Sequence, residues 1–107
     1  FSRLAMSNWV RVARTTDCPP GCGLERIAEE RVIALFNVEG AYFALDGVCP
    51  HQGGPLGRGA LEGCVVACPW HGWRFDVTNG QNQLNPRIVQ PTFETRVEGE
   101  WILVNLE

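Results

Sequence analysis

Two short stretches of this chain each place a sulfur beside an imidazole. The first is Cys49-Pro50-His51, and after sixteen intervening residues comes Cys68-Pro69-Trp70-His71. These stretches contain the only two histidines of the protein. One thiolate and one imidazole from each of two loops make a four-ligand set for a metal. Proline after each Cys fixes a backbone dihedral beside the ligand and removes a donor. Gly53 and Gly72, close to the histidines, allow positive φ or a close backbone approach. Backbone amides in such turns can donate to thiolate and sulfide, which stabilises a reduced, more negative site.

Chance scatter is a poor account of both histidines falling within three residues of a Cys-Pro pair. Two Cys and two His are also a zinc set, so a structural zinc site stays open as an alternative. Zinc fingers, however, pair Cys with Cys and His with His. Each loop here carries a mixed pair, which suits a binuclear cluster whose two irons take different ligands.

The elements that must hold these loops are strands. From Trp9, Val10 and Val12 alternate with Arg11 until Cys18-Pro19-Pro20-Gly21-Cys22 breaks the chain. Residues 31–38 are an almost continuous apolar run, predicting a strand buried on both faces. Glu39-Gly40 is a hairpin turn and Ala41 to Leu45 the returning strand. Residues 48–59 read as loop throughout, Cys64 to Ala67 as a short strand into the second metal loop, and Trp73 to Val77 as its exit. Asn79-Gly80 is a strong turn signal. Phe93, Thr95 and Val97 predict one strand, and Ile102, Val104 and Leu106 another after Gly99-Glu100. Glu25 to Val32 could form at most one helical turn. The fold class is therefore all-β, an antiparallel sandwich or barrel, with the metal loops as a small subdomain of about residues 46–86 inserted in it. Residues 6–107 read as a single domain. Residues 1–5 read as lying outside it, an expression remnant in preference to an upstream segment.

The formal charge of −3 argues against a nucleic-acid partner, which favours a basic stripe. No stretch is long and apolar enough for a membrane span. Five cysteines, an odd number, fit reduced thiols in the cytoplasm better than a secreted disulfide framework. Cys18, Cys22 and Cys64 stay outside the chemistry. Cys18 and Cys22 lack further ligands, and Cys64 reads as a small core residue.

The resemblance extends past the ligands. Residues 49–56, Cys-Pro-His-Gln-Gly-Gly-Pro-Leu, and 68–76, Cys-Pro-Trp-His-Gly-Trp-Arg-Phe-Asp, resemble Rieske ferredoxins and ring-hydroxylating oxygenases. Leu84-Asn85-Pro86 takes the place of that family's proline loop, and the closing hairpin at residues 97–104 is also similar. The resemblance implies a Rieske-like scaffold holding a 2Fe-2S cluster, with Cys49 and Cys68 on one iron and His51 and His71 on the other. Rieske proteins of respiratory and photosynthetic complexes carry a disulfide between the loops and a Ser two residues after the second His. Here Gly54 and Trp70 hold the disulfide positions and Trp73 the Ser position, so the resemblance implies a potential near the low end of about −150 to +300 mV.

No histidine remains for the two-His, one-carboxylate iron at which Rieske oxygenases attack their substrates. The chain therefore reads as a one-electron carrier and not an enzyme. By resemblance its partners are an NAD(P)H-dependent flavoprotein reductase and a terminal oxygenase, which it serves as a cytoplasmic monomer. A Rieske-like small subunit of a nitrite reductase is the alternative role. A mildly acidic carrier also fits a partner with a basic docking face. Trp73 reads as packing between loop and scaffold. Arg58, Arg74 and Arg87 are candidates to surround the cluster and orient an acidic partner, against the commoner reading of each as a solvated surface arginine.

Overall fold

The computed structural model describes residues 7–50, 53–70 and 72–107. His51 and His71 therefore lie outside the described residues, as do residues 1–6. Ten strands lie among the described residues: β1 Trp9–Arg14, β2 Gly23–Ala28, β3 Arg31–Val38, β4 Ala41–Asp46, β5 Ala60–Glu62, β6 Val65–Ala67, β7 Arg74–Asp76, β8 Thr92–Phe93, β9 Thr95–Glu98 and β10 Trp101–Asn105. They make three antiparallel sheets, ordered β1-β10-β9, β2-β3-β4-β8 and β5-β6-β7. The expected all-β antiparallel class holds. Among the described residues no helix is long and apolar enough to cross a membrane.

β3 is the strand on which everything else is built. Side chains alternate across a strand, and here both sides are buried. Ile33 and Leu35 join Ala13, Ile102, Val104 and Leu106 in a first core between the two larger sheets. Ala34 and Phe36 join Leu56, Val66, Phe75, Cys49 and Cys68 in a second core beneath the metal loops. The apolar run that predicted a doubly buried strand thus serves two cores at once. Tight two-residue turns flank it. Glu29-Glu30 joins β2 to β3 and Glu39-Gly40 joins β3 to β4, all four residues at positive φ as such hairpins require.

One open possibility closes and two expectations need correction. Glu25 to Val32 forms no helical turn: it is the end of β2, the Glu29-Glu30 turn and the start of β3. Pairing along all six residues of β2 with β3 outweighs the helix preference of Glu, Arg and Ala. Residues 48–59 are not loop throughout, since Leu56–Arg58 makes one 3-10 turn. The stretch from Phe93 to Val97 is two strands in different sheets. β8 pairs with β4 and β9 with β10, the chain crossing over at Glu94. Asn105 holds the crossing with its backbone amide on the Glu94 carbonyl (2.9 Å) and its side-chain amide on Oε1 (3.2 Å). The Thr95 hydroxyl donates to the Tyr42 carbonyl at 2.8 Å, stitching the two sheets together.

Glycines set two close backbone approaches, one of the 3-10 turn to β2 and one within the small sheet. A Cβ on Gly57 would stand 2.5 Å from the Leu24 carbonyl oxygen, and one on Gly59 would stand 2.1 Å from that of Ala67. No side chain fits at either position without moving backbone.

Two outcomes follow from this packing. Phe75→Ala empties the centre of the second core and is expected to lower the unfolding free energy in urea by about 3–5 kcal/mol; a loss below about 1 kcal/mol would contradict the two-core arrangement. Cys18 is fully buried in the first core, and its thiol is pushed up to about 11 by burial first and by Cys22 second. Iodoacetamide at pH 8 should therefore label exposed Cys22 in the folded protein and reach Cys18 only in urea. Because the thiol is raised in the folded state from 9.0, the stability it contributes is present below pH 9 and is lost as pH rises towards about 11. A pH titration of urea stability that stays flat across this window in the wild type would contradict it.

Candidate metal centre

The two metal loops arise differently in the chain and end in the same turn. The first joins β4 to β5, pinched by a bridge between Val48 and Pro55. The second is the connection of the β6–β7 hairpin, whose strands pair Ala67 with Arg74. In the first, the Cys49 amide donates to the Gly54 carbonyl (2.9 Å) and the Cys49 carbonyl accepts from the Gly53 amide (2.8 Å). In the second, the Cys68 amide donates to the Trp73 carbonyl (2.7 Å) and the Cys68 carbonyl accepts from the Gly72 amide (2.9 Å). The spacing of donors and acceptors is identical. Gly53 and Gly72 close the turns at φ +76° and +75°, a conformation costly for any residue with a Cβ. Their role is the one their sequence positions imply.

These turns bring Cys49 and Cys68 into one core, 2% and 3% exposed. Gly54 makes the contact between the loops. A Cβ there would stand 2.6 Å from the Cys68 sulfur and 3.1 Å from Cγ of Trp70. The backbone of the first loop therefore lies directly against the sulfur of the second. Two buried thiols, drawn from separate loops and turned the same way, fit a shared metal group. His51 and His71 complete each half-motif in sequence, and their positions lie outside the described residues.

Two buried amides that support the loops had no flag in the sequence. Gln90, 3% exposed, donates through Nε2 to the carbonyls of Asp46 (2.7 Å) and Val48 (2.6 Å), fixing the approach to Cys49. Asn82, 6% exposed, accepts from the amides of Leu84 and Asn85, both at 2.9 Å, and shapes the loop at Pro86. Buried amides of this kind satisfy turn backbone that strand pairing cannot reach. Their only trace in the sequence was a polar, irregular segment.

The other candidates divide. Trp73 packs against the second core, its ring 6.5 Å from that of Phe75, as expected of a packing residue. Trp70 is 58% exposed. Arg58 is committed to the scaffold, its Nε 3.0 Å from Glu25 Oε1, while Arg74 and Arg87 are exposed. Cys64 packs against the second core. The Cys18 sulfur lies 3.5 Å from the Cys22 carbonyl oxygen. No group of three or more Cys, His, Asp or Glu side chains among the described residues could hold a metal, so Cys18 and Cys22 have no further ligand there.

Comparison with known proteins agrees with this geometry. Residues 8–101 match the family of the Rieske 2Fe-2S domain. The ferredoxin component of the naphthalene 1,2-dioxygenase system of Pseudomonas aeruginosa is 32% identical over 100 residues, covering 92% of this chain and 95% of that protein. A chain from the complex of reduced oxygenase and oxidized ferredoxin in carbazole 1,9a-dioxygenase superposes with a TM-score of 0.82 at 29% identity, over 92% of this chain and 94% of that one. The putative NADH-dependent nitrite reductase small subunit of Mycobacterium tuberculosis, at 24% identity and a TM-score of 0.86 over 95% and 97%, shares the fold. With two thiols brought together from paired turns and a family match across most of its length, this chain is a member of the Rieske 2Fe-2S family, whose cluster carries electrons.

Proposed function

We propose that this chain is the ferredoxin component of a multicomponent oxygenase, taking electrons singly from an NAD(P)H-dependent flavoprotein reductase and passing them to a terminal oxygenase. In this reading Cys49 and Cys68 hold one iron, and His51 and His71 hold the other. The observation that carries it is the pair of matching turns that bury Cys49 and Cys68 in one core, with Gly54 of the first loop against the Cys68 sulfur. The near full-length match to a dioxygenase ferredoxin supports the role. The likeness to a nitrite reductase small subunit supports the fold alone.

When bound, the cluster would supply a reversible one-electron couple. The residues around it do the rest. Cys49 and Cys68 contribute two negative charges that offset the positive core, so the oxidised site leaves the chain's formal charge at −3. The closed turns hold both sulfurs in a fixed arrangement, which limits reorganisation when an electron arrives or leaves. Leu56, Val66 and Phe75 exclude water from beneath the sulfurs, and dehydration makes a gain of negative charge less favourable. With Trp73 where a hydroxyl donor would raise the potential, a value near the low end of about −150 to +300 mV is the expectation. Both histidines are needed for the cluster, so the chain carries no second iron centre of the two-His type. A cytoplasmic, monomeric carrier completes the reading.

The deciding measurement is iron, zinc and acid-labile sulfide in anaerobically purified protein, with visible spectra before and after dithionite. Two irons and two sulfides per chain, with colour that bleaches on reduction, are expected. Colourless protein with one zinc would replace the carrier by a structural module, and stable co-purification with a large sirohaem enzyme would move it to the nitrite reductase role. Cys68→Ser and His71→Ala should each abolish the visible spectrum. Gly54→Ala should weaken iron retention by about tenfold, because its Cβ has no room beside the Cys68 sulfur. Retention equal to wild type would remove Gly54 from the site.

A further inference from the structure

The formal charge of −3 predicts a basic partner only if the acidic groups surround the cluster, and they do not. Residues 46–90 carry Asp46, Glu62 and Asp76 against Arg58, Arg74 and Arg87. That balance is zero, so the whole of the negative charge belongs to the rest of the chain. Within this stretch the signs are also separated. In the sheet β5-β6-β7, Ala60, Ala67 and Arg74 form the row next to the second metal loop, since Ala67 directly precedes Cys68. Glu62, Val65 and Asp76 form the row two residues away, about 7 Å farther from the loop. Asp76 Oδ1 is further engaged by the amide and hydroxyl of Thr78, at 2.8 and 2.6 Å. Asp46 stands at the end of β4 on the first-loop side, its Oδ1 accepting from the Val48 amide at 3.0 Å.

The second-loop flank is different in kind. Arg74 is exposed and, with Gly72 and Leu84, lines two grooves beside this loop, one of which carries Glu62 on its far side in the row away from the loop. Leu84 is 94% exposed, and Arg87 follows it in the turn held by the Asn85 side chain. Among the described residues neither Arg74 nor Arg87 makes an ion pair or stacks on an aromatic ring. By contrast, Arg14, Arg26, Arg58 and Arg96 all sit beside carboxylates. The longest dimension of the molecule is 41 Å, several Debye lengths of about 8 Å at physiological salt, so acids on the distant sheets contribute little here.

We propose that this flank, with Arg74 and Arg87 around Leu84, docks an acidic protein surface beside the cluster. The proposal rests on the cluster lying at Cys49 and Cys68. An exposed leucine accompanied by two cations that make no ion pair among the described residues is complementary to an apolar patch rimmed by carboxylates. It reverses the basic docking face that net charge implied.

Small redox probes read the field at this face without the partner. Holo protein, reduced and freed of dithionite, is mixed in stopped flow with hexacyanoferrate(III), an anion, or hexaammineruthenium(III), a cation. Each probe molecule takes one electron from one reduced cluster. As ionic strength rises from about 100 to about 500 mM, where the Debye length stays at about 10 Å or less, the hexacyanoferrate rate should fall by roughly half and the hexaammineruthenium rate should not fall. Arg74→Gln with Arg87→Gln should abolish the fall. Arg11→Gln with Arg96→Gln, on the β1-β10-β9 sheet, alters net charge equally and should preserve it. Poly-L-glutamate should slow hexacyanoferrate oxidation of the parent and leave the Arg74/Arg87 variant unaffected.

A hexacyanoferrate rate that rises with salt, control substitutions that flatten it as fully as the Arg74/Arg87 pair, or no effect of poly-L-glutamate would each overturn the proposal. Protein without a bleachable chromophore would instead overturn the cluster reading beneath it.

Discussion

The constraint on which this structure depends is that β3 has no exposed face. Ile33 and Leu35 point into one core while Ala34 and Phe36 point into the other. A slip of one residue in register would exchange the two sets, placing Phe36 where Leu35 packs. The larger sandwich and the metal subdomain are thus fixed relative to one another by a single strand. Close backbone contact at Gly57 then holds the 3-10 turn that leads into the small sheet against β2 of the large one. Rigid seating suits an electron carrier, because the geometry of its site must change little between oxidation states.

The metal loops solve a second problem, that of backbone polarity in tight turns over a dry core. Each loop satisfies its Cys amide and Cys carbonyl internally, through the same pair of bonds. Proline follows each cysteine and so presents no amide that would need a partner. What the loops cannot satisfy themselves is taken up from a distance. Gln90 reaches back more than forty positions to the carbonyls before Cys49, and Asn82 ties the loop at Pro86. The site is therefore built on four chain segments, although only two of them carry its ligand motifs.

Charge is distributed by the same logic. Most of the acidic residues lie on the larger sheets and their turns, including Glu29, Glu30 and Glu39 at positive φ in the hairpins. Residues 46–90, which contain both Cys-His motifs, are balanced in formal charge. Net charge describes such a molecule at long range, whereas a docking partner meets the charges within a Debye length.

What the sequence by itself determined were the features written in adjacent residues. These are the two mixed Cys-His pairs, the glycines at their turns, the doubly buried run at residues 31–38, the hairpin signals and the all-β class. Each depends on a short-range rule of period or turn chemistry, so it survives without knowledge of the rest of the chain. The tertiary structure decided the remainder. It made a strand of Glu25 to Ala28 by pairing it with β3, and it divided residues 92–98 between two sheets at Glu94. It set Gly54 against the Cys68 sulfur, drew Arg58 to Glu25, and buried Gln90 beneath the first metal loop. These outcomes depend on which distant segments share a register and a core, and nothing in the local pattern of either segment specifies its partner.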